Sequence, residues 1–273
     1  MATTDGSNHI ASFAYRIADR LGILLGQRDR LTPPARIFAD PHRVDGSRHV
    51  RDFVFVGETM VRWLIGQGLA PTHRVLEVGC GIGRMAVPLI RHLRDPGRYT
   101  GIDITAEKID YCKRSVCHAA PHFRFIHADV YNKYYNPHGK LRAADYRFPF
   151  HPGEFDFVFL TSVFTHMLPD DMEHYLAEIE RVLVPGGRCV SSFWITETPL
   201  DAPYHRYSDV CYISNPAEPE HGVYYLESFV RSCYERRELT LQTLRYGTWS
   251  GRKDGHPNSP QDVIIATKPT VSA

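Results

Sequence analysis

Val75-Leu76-Glu77-Val78-Gly79-Cys80-Gly81-Ile82-Gly83-Arg84 is the stretch that decides the architecture. An apolar strand-like run enters a glycine-rich turn, and Arg84 to Leu93 then reads as a helix, the opening of an α/β unit. Glycines at 79, 81 and 83 let a ligand approach the main chain because no Cβ stands in the way. The helix that follows offers N–H donors with no partner inside it. The spacing is G-x-G-x-G, with Arg84 where a dinucleotide fingerprint has its last glycine. Glu77, two residues before the turn, would repel a diphosphate and suits a ligand bearing an ammonium group.

Downstream, strand and helix signals alternate. Tyr99 to Ile102 reads as a strand, Ala106 to His118 as a helix and Phe123 to His127 as a strand. Asp103 closes the second strand, where its carboxylate can accept hydrogen bonds from two ribose hydroxyls, or can simply cap the next helix at Thr105. Asp129 follows the third strand, placed to take a proton of an exocyclic adenine amine or, with Asn132, to shape a turn. Phe155 to Leu160, Arg188 to Trp194, Leu239 to Tyr246 and Val263 to Thr267 are further strands, Met172 to Leu183 and Leu226 to Arg236 helices, and Pro185-Gly186-Gly187 a turn. The late strands are expected to close the sheet as an antiparallel hairpin edge.

Before the first strand, Phe13, Ile17, Leu21 and Leu24 give Ile10 to Gly26 a helical spacing. Pro33-Pro34 and Asp40-Pro41 enforce an irregular segment, and Phe53 to Ile65 reads as a second amphipathic helix. The expectation is an α/β fold, a mostly parallel sheet with helices on both faces. Residues 1–70 form an N-terminal helical cap on a domain over 71–273, with substrate-side insertions near 131–153 and 198–222.

Taken in order, the motifs of residues 73–194 resemble the class I S-adenosylmethionine-dependent methyltransferases. L-E-V-G-C-G-I-G resembles that family's first motif, I-D-I its acidic strand end, and H-A-D-V its adenine motif. F-D-F-V-F-L-T-S-V-F-T-H-M with L-V-P-G-G-R resembles its fourth strand and the turn before its fifth. The resemblance implies a seven-stranded sheet with the last strand antiparallel and S-adenosyl-L-methionine as cofactor. It implies that Gly79 and Gly81 lie against the methionine and ribose, within a turn completed by Cys80 and Gly83, with Glu77 nearby. It further implies Asp103 on the ribose, Ile104 on the adenine face, Asp129 with Val130 at the adenine edge, and the main chain of Leu160 and Thr161 facing the methionine. Y-G-T-W-S-G-R-K-D-G, Q-D-V-I-I-A-T-K, the Y-N-K loop and T-S-V-F-T-H also resemble bacterial small-molecule methyltransferases, which implies a free metabolite or glycan-type acceptor.

His166 follows the fourth strand's carboxyl end, and its near-neutral proton affinity suits a general base. It can equally orient Asp170 or Asp171. Tyr131, Tyr134 and Tyr135 sit in the long connection before the fourth strand, Tyr134 and Tyr135 as acceptor contacts and Tyr131 more as packing. Trp194, His205 and Trp249 are further acceptor-side candidates. A sulfonium methyl is already electrophilic, so positioning an O, N or S lone pair does most of the work, and only an alcohol needs a base. An NAD-dependent oxidoreductase, or a non-catalytic cofactor-binding protein of the same fold, are the competing classes.

Composition narrows the partners. The chain has 273 residues, 43% hydrophobic and 23% charged, which excludes a disordered or fibrous protein. A formal charge of +1 supplies no general attraction to phosphate backbones or anionic lipid. Leu160-Thr161-Ser162-Val163 lacks the Pro-Pro-aromatic element of amino-methylating DNA enzymes, so no nucleic acid partner is expected. No apolar run approaches membrane-spanning length, and Leu21 to Leu25, bracketed by Arg20 and Arg28, fails as a signal peptide, so a cytoplasmic location with no membrane partner is expected. Six cysteines without CxxC or zinc-type spacing point to reduced thiols and no metal.

Overall fold

The computed structural model describes residues 31–33, 50–252, 255 and 259–270. The expected helix at 10–26 and the proline segment over 34–49 lie outside the described residues, as does most of the expected cap. The part of the cap within them is helix α1 (Val50–Gly66).

Strands β1 (Arg74–Val78), β2 (Arg98–Asp103), β3 (Phe123–His127), β4 (Phe155–Leu160) and β5 (Leu183–Phe193) are parallel neighbours in the order β5-β4-β1-β2-β3. Helices α2 (Ala86–His92), α3 (Ala106–Ala119) and α4 (Pro169–Val182) connect them. Four short strands follow: β6 (Ile195–Thr196), β7 (His205–Arg206), β8 (Cys211–Ile213) and β9 (Val223–Leu226). Helix α5 (Glu227–Glu235) leads to β10 (Thr240–Arg245) and β11 (Asp262–Thr267). β11 runs antiparallel to both β5 and β10, completing a seven-stranded sheet whose last strand is antiparallel, as expected.

Alternation along the central strands divides the core into two faces. Val75, Tyr99, Phe157, Phe159 and Val190 pack on one side with Phe53 and Leu64 of α1 and Leu89 of α2. Leu76, Ile102, Val158, Leu160 and Cys189 pack on the other with Leu176 and Ile179 of α4 and Tyr234 of α5.

Three expectations are corrected. The turn at Pro185-Gly186-Gly187 lies within β5, where the β4–β5 register shifts between Phe155 and Phe157 and absorbs the extra residues as a bulge. The helix after the glycine turn begins at Ala86 rather than Arg84, because residues 81–85 are still turning. Residues 198–221, which have no clear period in sequence, contribute β7 and β8 to a second, four-stranded sheet of order β6-β9-β8-β7. Strands of two or three residues are too short to carry a readable alternation.

Candidate active site

The carboxyl ends of β1, β2 and β4 open into one cavity of ≈ 320 Å³. Gly79, Gly81 and Gly83 all have positive φ, of 75°, 53° and 79°, so the turn needs glycine for its backbone alone. Their surroundings differ. A Cβ at Gly79 would lie 2.5 Å from Val163 Cγ2, one at Gly81 would meet nothing within 4 Å, and one at Gly83 would press on Cys112 and Val116 of α3. Gly79 and Gly81 line the cavity, whereas Gly83 serves packing of the turn against α3.

Asp103, 8% exposed, holds the turn: Oδ2 accepts the Gly81 N–H at 2.8 Å and Oδ1 the Thr105 N–H at 2.8 Å. It thus ties the turn to Thr105 ahead of α3 and also lines the cavity. Glu77, 1% exposed, accepts a hydrogen bond from the Tyr99 hydroxyl and reaches the cavity wall. Cys80, Ile104, Val130 and Thr161 line the cavity as well. Burial pushes the Cys80 thiol well up, so it is protonated and unreactive.

Besides Gly83, two expected cofactor residues lie off this wall. Leu160 is fully buried between β4's neighbours, and Asp129 is paired with Lys140 at 3.2 Å. Ala128 and Val130 flank Asp129 and face the cavity instead, since successive residues of an extended segment point opposite ways.

On the cavity's other side, His166 ends the short 3₁₀ turn Phe164–His166. Its Nδ1 lies 2.9 Å from the Glu220 carbonyl oxygen, which can only accept, so Nδ1 carries the proton. Nε2 is then the acceptor for the Tyr135 hydroxyl at 3.3 Å. Burial lowers the His166 pKa and the Glu220 carbonyl only partly restores it, which keeps the ring neutral at pH 7. Burial also pushes Tyr135 up to about 12, so its hydroxyl stays protonated. His166 does not orient Asp170 or Asp171 through its ring; Glu220, far away in sequence, takes that position.

Asn132 builds the loop that presents Tyr135. Its Oδ1 accepts the N–H groups of Tyr134 and Tyr135 at 3.1 and 2.9 Å, and its Nδ2 donates to the His166 carbonyl at 3.1 Å. Of the three loop tyrosines, Tyr131 and Tyr135 line the cavity, while Tyr134 packs edge-on against Tyr135 and His221. Trp194 stacks on Tyr224 at 4.7 Å and lies 6.1 Å from the His166 ring. Trp249 donates Nε1–H to Asp262, and His205 is exposed on β7. These three stand outside the cavity. Residues that sequence reasoning missed include Lys108, Ser162 and Tyr175; Tyr175 sits one turn after Asp171 on α4, a spacing that puts both on one helix face.

Residues 75–187 match the model of a family described as a methyltransferase domain. Over those residues the chain resembles a methyltransferase domain. Among curated relatives, a fatty-acid O-methyltransferase of Mycolicibacterium smegmatis is 37% identical over 114 residues, 42% of this chain and 34% of that protein. The human tRNA N(3)-cytidine methyltransferase METTL2B is 28% identical over 128 residues, 44% of this chain and 29% of that protein. The chain thus spans about a third of the length of these relatives. A crystal structure of the geranyl diphosphate C-methyltransferase of Streptomyces coelicolor superposes with a TM-score of 0.56 at 15% identity, covering 87% of this chain and 85% of that one. The methyltransferase domain's donor set fits S-adenosyl-L-methionine. Carboxylates at Glu77 and Asp103 line the cavity and suit cationic and hydroxyl groups, the turn at Gly81 has open space beside it, and Ile104 and Val130 add apolar wall. Among the described residues no group of three His, Cys, Asp or Glu could hold a metal, and no helix is long and apolar enough to cross a membrane.

Proposed function

We propose that this protein is an S-adenosyl-L-methionine-dependent methyltransferase of a small acceptor molecule. The observation that carries the reading is that the Gly79–Gly81 turn, held by Asp103, and the Tyr135–His166 pair open into one and the same cavity. Glu77 and the open main chain of the turn would hold the methionine part, Asp103 the ribose, and Ile104 with Val130 the adenine. The bound cofactor supplies an electrophilic methyl group on sulfur.

The chain's own residues then orient, shield and move one proton. Tyr135 donates its hydroxyl hydrogen to His166 Nε2 and turns its oxygen lone pairs to an acceptor. An acceptor proton passes to the Tyr135 oxygen while the tyrosine's own proton passes to Nε2, and Nδ1–H on the Glu220 carbonyl holds the ring in that tautomer. The three aromatic and apolar neighbours Tyr135, Met167 and Tyr175 exclude water from that corner. The insertions near 131–153 and 198–222 select the acceptor, a role supported by Tyr131, Ala143 and Glu220 on the wall.

The relationship to a tRNA enzyme motivates a second reading, in which the acceptor is a nucleotide base in RNA. The carboxylates Asp171 and Glu220 on the acceptor side disfavour it, because phosphate backbones call for a basic surround. Calorimetric titration with S-adenosylhomocysteine, followed by turnover on small-molecule and tRNA panels, tests both. We expect cofactor-product binding and turnover with small molecules; turnover on tRNA alone would reverse the choice, and absence of binding would end both.

A further inference from the structure

The acceptor side of the cavity is more specific than a general small-molecule site. Asp171 and Tyr175, on one face of α4, line it together with Glu220. Asp171 Oδ1 accepts the Ala144 N–H at 2.9 Å, which fixes the carboxylate and leaves Oδ2 for another donor. Glu220 borders the same end, its carbonyl facing His166 and its carboxylate within 3.5 Å of the Lys133 N–H. Tyr175 is only 4% exposed, and among the described residues no group hydrogen-bonds to its hydroxyl, although it borders the cavity. The side chain is buried while its hydroxyl opens on the cavity, where a ligand can bond to it. Arg142, which acts on Asp171, is 74% exposed and turned toward Asp145 at 3.7 Å, and Lys108, also on the cavity wall, lies 5.8 Å from the Tyr135 ring.

We propose that this end recognises an alkyl ammonium group, so that the acceptor is a primary or secondary amine and Asp171 its specificity-determining residue. The proposal rests on the methyltransferase reading above. An ammonium donates to Asp171 Oδ2 and Tyr175 Oη, whereas a carboxylate acceptor would face the like charge of Asp171. The protons balance. The ammonium gives one proton to the Tyr135 oxygen as Tyr135 gives its own to His166 Nε2, freeing the nitrogen lone pair. That pair forms the N–C bond as the sulfur–methyl bond breaks, the sulfur keeps the bonding electrons, and His166 returns its proton to water. The product is a methylated ammonium and a neutral thioether.

The test titrates the full chain, saturated with S-adenosylhomocysteine, with hexylamine, hexanol and hexanoate, which share one skeleton. Hexylamine should bind about ten-fold tighter than hexanoate. Asp171→Asn keeps an oxygen for the Ala144 N–H but removes the charge, and should abolish that preference while leaving the affinity for S-adenosylhomocysteine unchanged. Tyr175→Phe, which removes only the hydroxyl, should weaken hexylamine alone and serves if the Asn variant does not fold. Equal binding of the three compounds, binding of none, or a preference that survives Asp171→Asn overturns the assignment and leaves the cofactor reading standing. Failure to bind S-adenosylhomocysteine overturns both.

Discussion

Asp103 and His166 concentrate the chemistry at the scale of single residues, and each makes a distinct demand. Asp103 joins the glycine turn to the start of α3 through two charge-assisted bonds. Asp103→Ala should therefore cost about 2–3 kcal/mol of stability and weaken S-adenosylhomocysteine about 100-fold by calorimetry. An unchanged affinity would remove Asp103 from the cofactor site. His166→Gln should lower turnover by about 100-fold while sparing that affinity, because the ring faces Tyr135 and not the turn. In the native enzyme the acid limb of kcat should lie below 6.5, since burial holds His166 neutral. A limb at or above 6.5 would argue that another group takes the proton.

Among elements, α1 and α4 pack on opposite faces of the sheet, and α4 lines the site. α1 crosses so close to the glycine turn's exit that a Cβ at Gly57 would come within 2.3 Å of the Arg84 carbonyl oxygen. Gly57→Ala must push α1 away from that backbone and should destabilise by about 1–3 kcal/mol in chemical denaturation. Gly66→Ala, at the exposed end of the same helix where a Cβ meets nothing, is the matched control and should be neutral or slightly stabilising. Equal effects of the two would mean that α1 is not docked there. On the other face, Arg181 of α4 pairs with Glu178 and donates to the carbonyls of Phe148 and Phe150, while Glu178 accepts the Phe148 N–H. That lattice ties residues 146–150 to α4 and so fixes the wall behind Ala143 and Tyr175.

Over the whole molecule, ligand and proton linkage report on the same cavity. S-adenosylhomocysteine at 100 times its dissociation constant should raise the unfolding free energy by about 2.7 kcal/mol, seen as a rise in Tm, with no rise for NADH. The reverse pattern would restore the oxidoreductase reading. His166 and Asp171 bias pH stability in opposite senses. As pH falls below 6.5 the unfolded chain takes up the His166 proton first, so stability declines until the lowered folded value is passed. Burial raises Asp171 above 3.8, so within that lower window the folded chain takes up its proton first and stability gains. The native protein should lose Tm between its optimum and mildly acid pH more steeply than His166→Gln; parallel profiles would show that His166 is not buried neutral.

Local sequence determined the strand–turn–helix order, the glycine turn and the placement of Glu77 and Asp103 at strand ends, because alternation, φ > 0 and spacing are properties of neighbours along the chain. The bounds of β3 and β4 agree with that reading for the same reason. It could place His166 and Tyr135 at the rim but not pair them, since their contact depends on how Asn132 folds a loop against the end of β4. Tertiary structure alone put Glu220 under His166, turned Asp129 to Lys140, and assigned Trp249 to Asp262. Such contacts join residues tens of positions apart, and only closure of the sheet and packing of its loops bring them within hydrogen-bonding reach.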